Sequence, residues 1–197
     1  MVQEFKARLL NEFVRAHDVH SVIELGCGDG VQLALADYPR YLGLDVSATA
    51  LRRCIERFAN DPTKSFLLYD PEAFADRAGF LSADLSLAID VVYHLVEDRT
   101  YDLTMRQLFS AGRRFVIVSS SNVELEGRNP HVRHRRFTRW VEENAPEWEL
   151  VDTVMNPYHR GAEAVTTIPK DFYMFGHRTE VSGSDTAEDI RLSHVSA

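Results

Sequence analysis

Ser21-Val22-Ile23-Glu24-Leu25-Gly26-Cys27-Gly28-Asp29-Gly30 is a short apolar run that stops at an acid and passes into a glycine-rich turn. The pattern predicts a buried strand feeding a nucleotide-binding loop. Gly26, Gly28 and Gly30 tolerate positive φ and carry no Cβ, so the backbone can bend sharply and approach a ligand. Asp45 follows about twenty residues after the first glycine, at the end of a second apolar run that begins at Tyr41. An acid there is placed to accept hydrogen bonds from ribose hydroxyls.

A glycine-rich turn after a strand also occurs in dehydrogenases, whose fingerprint is Gly-x-Gly-x-x-Gly beneath a pyrophosphate. Here the spacing is Gly-x-Gly-x-Gly, with Glu24 before the loop and Asp29 within it. Two carboxylates repel a pyrophosphate and attract a cation. The ligand implied is a nucleoside with a positive centre, and S-adenosylmethionine carries both a sulfonium and an α-ammonium.

Glu24-Leu25-Gly26-Cys27-Gly28-Asp29-Gly30, with Asp45 after the second strand, resembles the cofactor motif of class I S-adenosylmethionine-dependent methyltransferases. The likeness in element order runs over roughly residues 20–178. The resemblance implies that the glycine loop lies under the methionine part of the cofactor, with Asp45 and the adjoining Val46 at the ribose. It also implies Asp70, with Tyr69 beside it, on the adenine side.

The chain of 197 residues, 45% hydrophobic, is long enough for one domain with a sizeable core. A net charge of −8 and an isoelectric point near 5.5 argue against nucleic acid as the main partner. Two cysteines, Cys27 and Cys54, make no disulfide framework and point to a reduced, cytoplasmic setting. No signal core or stretch of membrane-spanning length is present, so a membrane partner is not expected.

Periodicity predicts an α/β chain. Helices are expected at 2–16, 30–37, 47–58 (Ser47 as cap, Leu51 and Ile55 inward), 71–78, 98–111 and 136–145. Strands are expected at 20–25, 40–44, 65–69, 85–90, 114–119, 149–154 and 172–177. No helix long enough for a crossover separates the last two strands, so they should pair antiparallel. The expectation is a Rossmann-like seven-stranded, mostly parallel sheet with a C-terminal antiparallel hairpin strand and helices on both faces. Residues 1–178 form the single domain, and 179–197 read as a mobile tail.

Ligands of open α/β sheets bind outside the carboxyl ends of the strands. The fourth strand ends in Asp90-Val91-Val92-Tyr93-His94, which puts an acid and an imidazole where a methyl acceptor would sit. Methyl transfer is an in-line displacement, so the protein must align the acceptor and, for a hydroxyl, take its proton. His94 is the candidate base. The alternative is that His94 only holds the loop after the strand while Tyr93 packs the rim. Asn129-Pro130-His131-Val132-Arg133-His134-Arg135-Arg136 is a basic segment in an acidic chain. His131, Arg133 and His134 are candidates to grip hydroxyls, a carboxylate or a phosphate; the alternative is a solvated helix start.

Some sugar methyltransferases use magnesium, for which Asp90 is a candidate ligand, although the end of the fifth strand offers no carboxylate before Glu124. The stretches 90–98 and 129–137 resemble bacterial glycan O-methyltransferases, such as those that cap methylmannose polysaccharide with a 1-O-methyl group. That resemblance implies a saccharide or other small polar acceptor, with Tyr93, Tyr158 or Trp140 as a stacking surface. The alternative for Trp140 is the core, since Phe137, Trp140 and Val141 fall on one helical face. A nucleic-acid or protein methyltransferase and a non-catalytic cofactor-binding protein are the competing classes. Asp90-Val91-Val92-Tyr93 is not the Asn-Pro-Pro-Tyr-like tetrad expected of amino-methylating DNA enzymes. A chain of this size often forms a homodimer.

Overall fold

Seven strands hydrogen-bond in the order β3-β2-β1-β4-β5-β7-β6. They are β1 (Val22–Leu25), β2 (Tyr41–Asp45), β3 (Lys64–Leu68), β4 (Ala83–Ile89), β5 (Gly112–Ser120), β6 (Trp148–Val154) and β7 (Asp171–His177). The computed structural model describes residues 1–74, 76, 78–125, 129–159 and 168–181; the tail expected at 179–197 lies almost wholly outside them.

The first five strands pair in parallel, while β7 lies antiparallel between β5 and β6. The sheet is therefore the mostly parallel one expected from the sequence, with β7 reversed against both of its neighbours. The central strands β1 and β4 read as nearly continuous apolar runs because both faces are covered.

Helices α1 (Val2–Ala16) and α2 (Ala48–Arg57) cover one face, burying Leu9, Phe13, Leu51 and Cys54 with Val22, Leu85 and Ile117. On the other face α3 (Asp98–Ala111) and α4 (Phe137–Asn144) bury Met105, Leu108, Phe137 and Val141 against Ile23, Val116 and Phe175. Ser47 caps α2 as expected, its hydroxyl accepting from Ala50 N at 3.2 Å. A last short helix, α5, spans Arg178–Val181.

Three expectations need correction. Ile55 is 56% exposed, and the inward position on α2 belongs to Cys54. The helix expected at 30–37 is only a 3-10 turn, Leu33–Leu35. Only Leu33 of that turn is buried, and Asn11 of α1 satisfies its end, accepting from Asp37 N and donating to Leu35 O. In place of a helix at 71–78, Asp70 heads a turn, its carboxylate accepting from Glu72 N and its carbonyl from Ala73 N and Phe74 N. Asp76 then accepts from Phe80 N and Leu81 N, drawing the chain towards β4. The intervening residues 75 and 77 lie outside the described ones.

Candidate functional site

The loop after β1 is tied to the end of β2. Gly26 N and Cys27 N both donate to Leu44 O, and Asp45 accepts from Gly28 N and Ser47 N, each at 2.8 Å. Gly26, Gly28 and Gly30 all have positive φ, at 82°, 61° and 76°. At Gly26 a Cβ would lie 2.4 Å from Val91 Cγ2, because the loop after β4 presses on it. At Gly28 a Cβ would meet nothing within 4 Å, so the loop is open on that side. Val46, two-thirds exposed, presents an apolar side chain next to Asp45.

The acids of the loop differ in environment. Asp29 accepts from Val31 N and faces Arg53 at 3.8 Å, whereas Glu24 is buried and accepts from the Tyr41 phenol at 2.6 Å. Burial pushes the Glu24 carboxyl up to about 7; the Tyr41 hydrogen bond pulls it down and the charge of Asp45 pushes the same way as burial. Cys27 is buried and lines the gap left by the missing Cβ of Gly43. Burial raises its thiol far above the ordinary range, so it offers the loop its backbone and not a nucleophile. Cys54 donates to Gly28 O from beneath, at 3.2 Å. At the end of β3, Asp70 is exposed, while Tyr69 is buried with its ring on Phe74.

Asp90 follows β4 in the left-handed region, φ 60°, a conformation uncommon for a residue with a side chain and concentrated at functional sites. Its N–H donates to Ser119 O, its Oδ2 pairs with Lys6 of α1, and its Oδ1 is buried without a hydrogen-bond partner among the described residues. Lys6 is itself 8% exposed. Sequence reasoning missed this residue; the only signal was a lysine on the apolar side of an amphipathic helix. The Tyr93 phenol is raised by burial first and then by the Asp90 charge.

His94 is exposed, and its Nδ1 lies 3.0 Å from the carbonyl oxygen of His131. A carbonyl only accepts, so Nδ1 carries a proton and donates, and in the neutral tautomer the lone pair lies on Nε2. That is the form a general base needs. The segment 129–135 is strapped to the loop after β4 at several points. Arg133 N donates to Tyr93 O, the Arg133 guanidinium to Val96 O, and Arg135 to Leu95 O and Val96 O. Both arginines pair with Asp98 at the start of α3, and Arg135 lies over the Tyr101 ring. The Arg133 side chain thus lies in a loop-to-loop clamp. Asp98 is held below the usual carboxylate range by these hydrogen bonds.

His131 is exposed, with its N–H donating to Asn129 Oδ1, while His134 shares a 2.7 Å hydrogen bond with Ser121 at the end of β5. Burial, and then the Lys170 charge, hold the His134 imidazole below its ordinary value. Trp140 donates to Asp102 and packs on Tyr101 and Phe109, which places it with α3. Tyr158 is 42% exposed and set edge-on to Phe5. Among the described residues no group of three potential ligands could hold a metal ion, and Asp90 is engaged by Lys6.

The strand order with one reversed strand, and a glycine loop bound to the acid after β2, decide the architecture. The chain has the class I methyltransferase fold. No protein-family model and no curated relative matches the sequence. Among solved structures, the methyltransferase domain of bacterial CtHen1-C superposes with a TM-score of 0.70 at 20% identity, covering 90% of this chain and 99% of that one. The N-methyltransferase NodS from Bradyrhizobium japonicum WM9, in complex with S-adenosylhomocysteine, gives 0.70 at 18% identity over 88% and 86%. Magnesium protoporphyrin IX methyltransferase from Synechocystis PCC 6803, with bound S-adenosylmethionine, gives 0.64 at 16% over 89% and 80%. No helix among the described residues is long and apolar enough to cross a membrane.

Proposed function

We propose that this protein is an S-adenosylmethionine-dependent O-methyltransferase acting on a hydroxyl of a saccharide or another small polar acceptor. The observation that carries the reading is the hydrogen bond from His94 Nδ1 to the His131 carbonyl, at the sheet edge that also bears the glycine loop. That hydrogen bond makes Nδ1 the donor, so the neutral tautomer would offer Nε2 to a hydroxyl proton.

The residues of the loop fit the cofactor. Asp45, already oriented by Gly28 N and Ser47 N, is placed for ribose hydroxyls, and the open side of Gly28 admits a ligand against the backbone. Glu24, Asp29 and Asp45 give the loop the negative character that suits a sulfonium and an ammonium. Val46 and Asp70 stand on the nucleoside side. When bound, S-adenosylmethionine supplies an electrophilic methyl group. His94 would take the acceptor's proton as the methyl group passes from sulfur to the acceptor oxygen and S-adenosylhomocysteine leaves, while Tyr93 shapes the wall beside Asp90 and the Asp98 clamp holds His131 in register. Two of the similar structures hold this cofactor or its product, S-adenosylhomocysteine, which supports the cofactor assignment.

The test has two parts. Calorimetric titration should show S-adenosylhomocysteine binding and NAD failing to bind. Labelled S-adenosylmethionine should transfer methyl to hydroxyls in a screen of saccharides and hydroxylated acids. Binding without transfer to any acceptor would favour the non-catalytic reading.

A further inference from the structure

A cavity of about 80 Å³ lies on the α3 side of the sheet, under the connection from β3 to β4. Ile23 of β1, Leu44 of β2, and Phe74 and Leu81 of the connection give it apolar walls. Where a crossover helix is expected, the described part of this connection runs as the turns at Asp70 and Asp76, which cover the strands thinly. Leu67, the register neighbour of Leu44 on β3, is accordingly 37% exposed. A water needs only about 10–15 Å³ of such volume, so the cavity has room for a small organic molecule.

Two buried polar atoms give the cavity a chemistry. Tyr69 lines it, 5% exposed, and its hydroxyl completes no hydrogen bond among the described residues. Burial pushes this phenol up to about 12 against the pull of the Thr104 hydroxyl beside it; that hydroxyl faces the phenol oxygen as a donor, so the phenol's own proton stays uncommitted. Gln107 of α3 also lines the cavity. Its Nε2 donates to Phe74 O at 3.3 Å, which leaves Oε1 buried and unpaired among the described residues. A phenolic O–H that lacks an acceptor and an amide oxygen that lacks a donor together suit one ligand hydroxyl, which accepts from the first and donates to the second. Asp76 stands at the same cavity with its carboxylate accepting from Phe80 N and Leu81 N, and its charge repels an anionic ligand.

We propose that this cavity binds a small uncharged molecule in which one hydroxyl is joined to an apolar body, of the phenol or short-chain alcohol class. Its hydroxyl lies between Tyr69 and Gln107, and its body rests on Ile23, Leu44, Phe74 and Leu81. Tyr69 lines the cavity while Asp70, the next residue, is exposed, and none of Gly26, Gly28, Asp45 and Asp70 contributes to the walls. The site is therefore separate from the cofactor loop, and the inference stands apart from the methyltransferase reading.

Phenol, benzene and glycerol are titrated into the full chain while the Tyr69 ring and Leu81 methyl resonances are followed by NMR. Phenol should give saturable shifts at both residues. Benzene, for want of the hydroxyl, should bind about three- to tenfold more weakly, and glycerol, which has no apolar body, should give no saturable shift. Tyr69→Phe keeps the ring and removes only the hydroxyl, so the fold is retained; it and Gln107→Met should each weaken phenol binding by a similar factor and leave benzene binding unchanged. Saturating S-adenosylhomocysteine should leave phenol in place. No saturable phenol shift, benzene binding as tightly as phenol, unchanged phenol affinity in both variants, or displacement of phenol by S-adenosylhomocysteine would each overturn the proposal.

Discussion

The Tyr41 phenol donates to Glu24 across 2.6 Å of buried space beneath the glycine loop. Even with that hydrogen bond, burial holds the carboxyl near 7 against an ordinary 4.5, so the folded protein binds a proton that the unfolded chain releases. The stability from this group is complete below about pH 4.5 and is lost as pH rises through 7, by about 3 kcal/mol at most. Urea unfolding of the cofactor-free protein from pH 5 to 8 should show this decline, and Glu24→Gln should flatten it. Equal slopes in the two proteins would place the proton elsewhere.

A cationic cofactor reverses the preference, because it favours the ionised carboxylate. Binding of S-adenosylmethionine near pH 6 should release a proton and tighten with pH until about 7, by up to about tenfold per pH unit. Calorimetry in two buffers of different ionisation enthalpy measures the release directly. A heat independent of buffer would show that Glu24 keeps its proton.

Gly26 and Gly28 share positive φ but not surroundings. Gly26→Ala drives a Cβ into Val91 and should cost about 1–3 kcal/mol of stability, read from the unfolding midpoint. Gly28→Ala meets no neighbour and should cost only the backbone preference, about 1–2 kcal/mol. Its methyl group nevertheless fills the open side of the loop, so affinity for S-adenosylhomocysteine should fall more than stability does. The cradle is misassigned if Gly28→Ala binds the ligand as well as wild type.

Replacing His94 by alanine should lower kcat by about 10²–10⁴ with cofactor affinity retained. Disrupting the clamp with Asp98→Asn should lower kcat less and leave the pH at half-maximal rate unchanged, because the base persists but is poorly held. Were His94→Ala to keep full activity on a hydroxyl acceptor, the base would lie elsewhere.

The helix α2 offers a control remote from chemistry. Ser47→Ala removes the hydroxyl that accepts from Ala50 N and should cost about 1 kcal/mol of stability. Because Ser47 N, not its side chain, orients Asp45, cofactor affinity should change little.

The strands are legible in the sequence because buried β1, β4 and β5 must be apolar on both faces, and the reversed β7 is legible because the residues between the last two strands show no crossover-length helical pattern. The helices that the sequence predicts at 30–37 and 71–78 do not form as such, because tertiary contacts and side-chain turns compete with them. Asn11, from a distant helix, satisfies the end of the Leu33–Leu35 turn, and Asp70 and Asp76 form side-chain turns that compete with a helix. At the site, the glycine loop and Asp45 could be found because backbone geometry demands those residue types at that spacing. The pairing of Lys6 with Asp90, and of Arg133 with Asp98, arises from contacts between residues far apart in sequence, which no local pattern encodes.

Strand β7 joins the sheet between two strands made before it, so β5 and β6 have no hydrogen-bonding partner between them until residues 171–177 arrive. On a ribosome β1 to β6 emerge before the strand that joins β5 to β6, so one edge of the sheet stays open until the last of the seven strands is made.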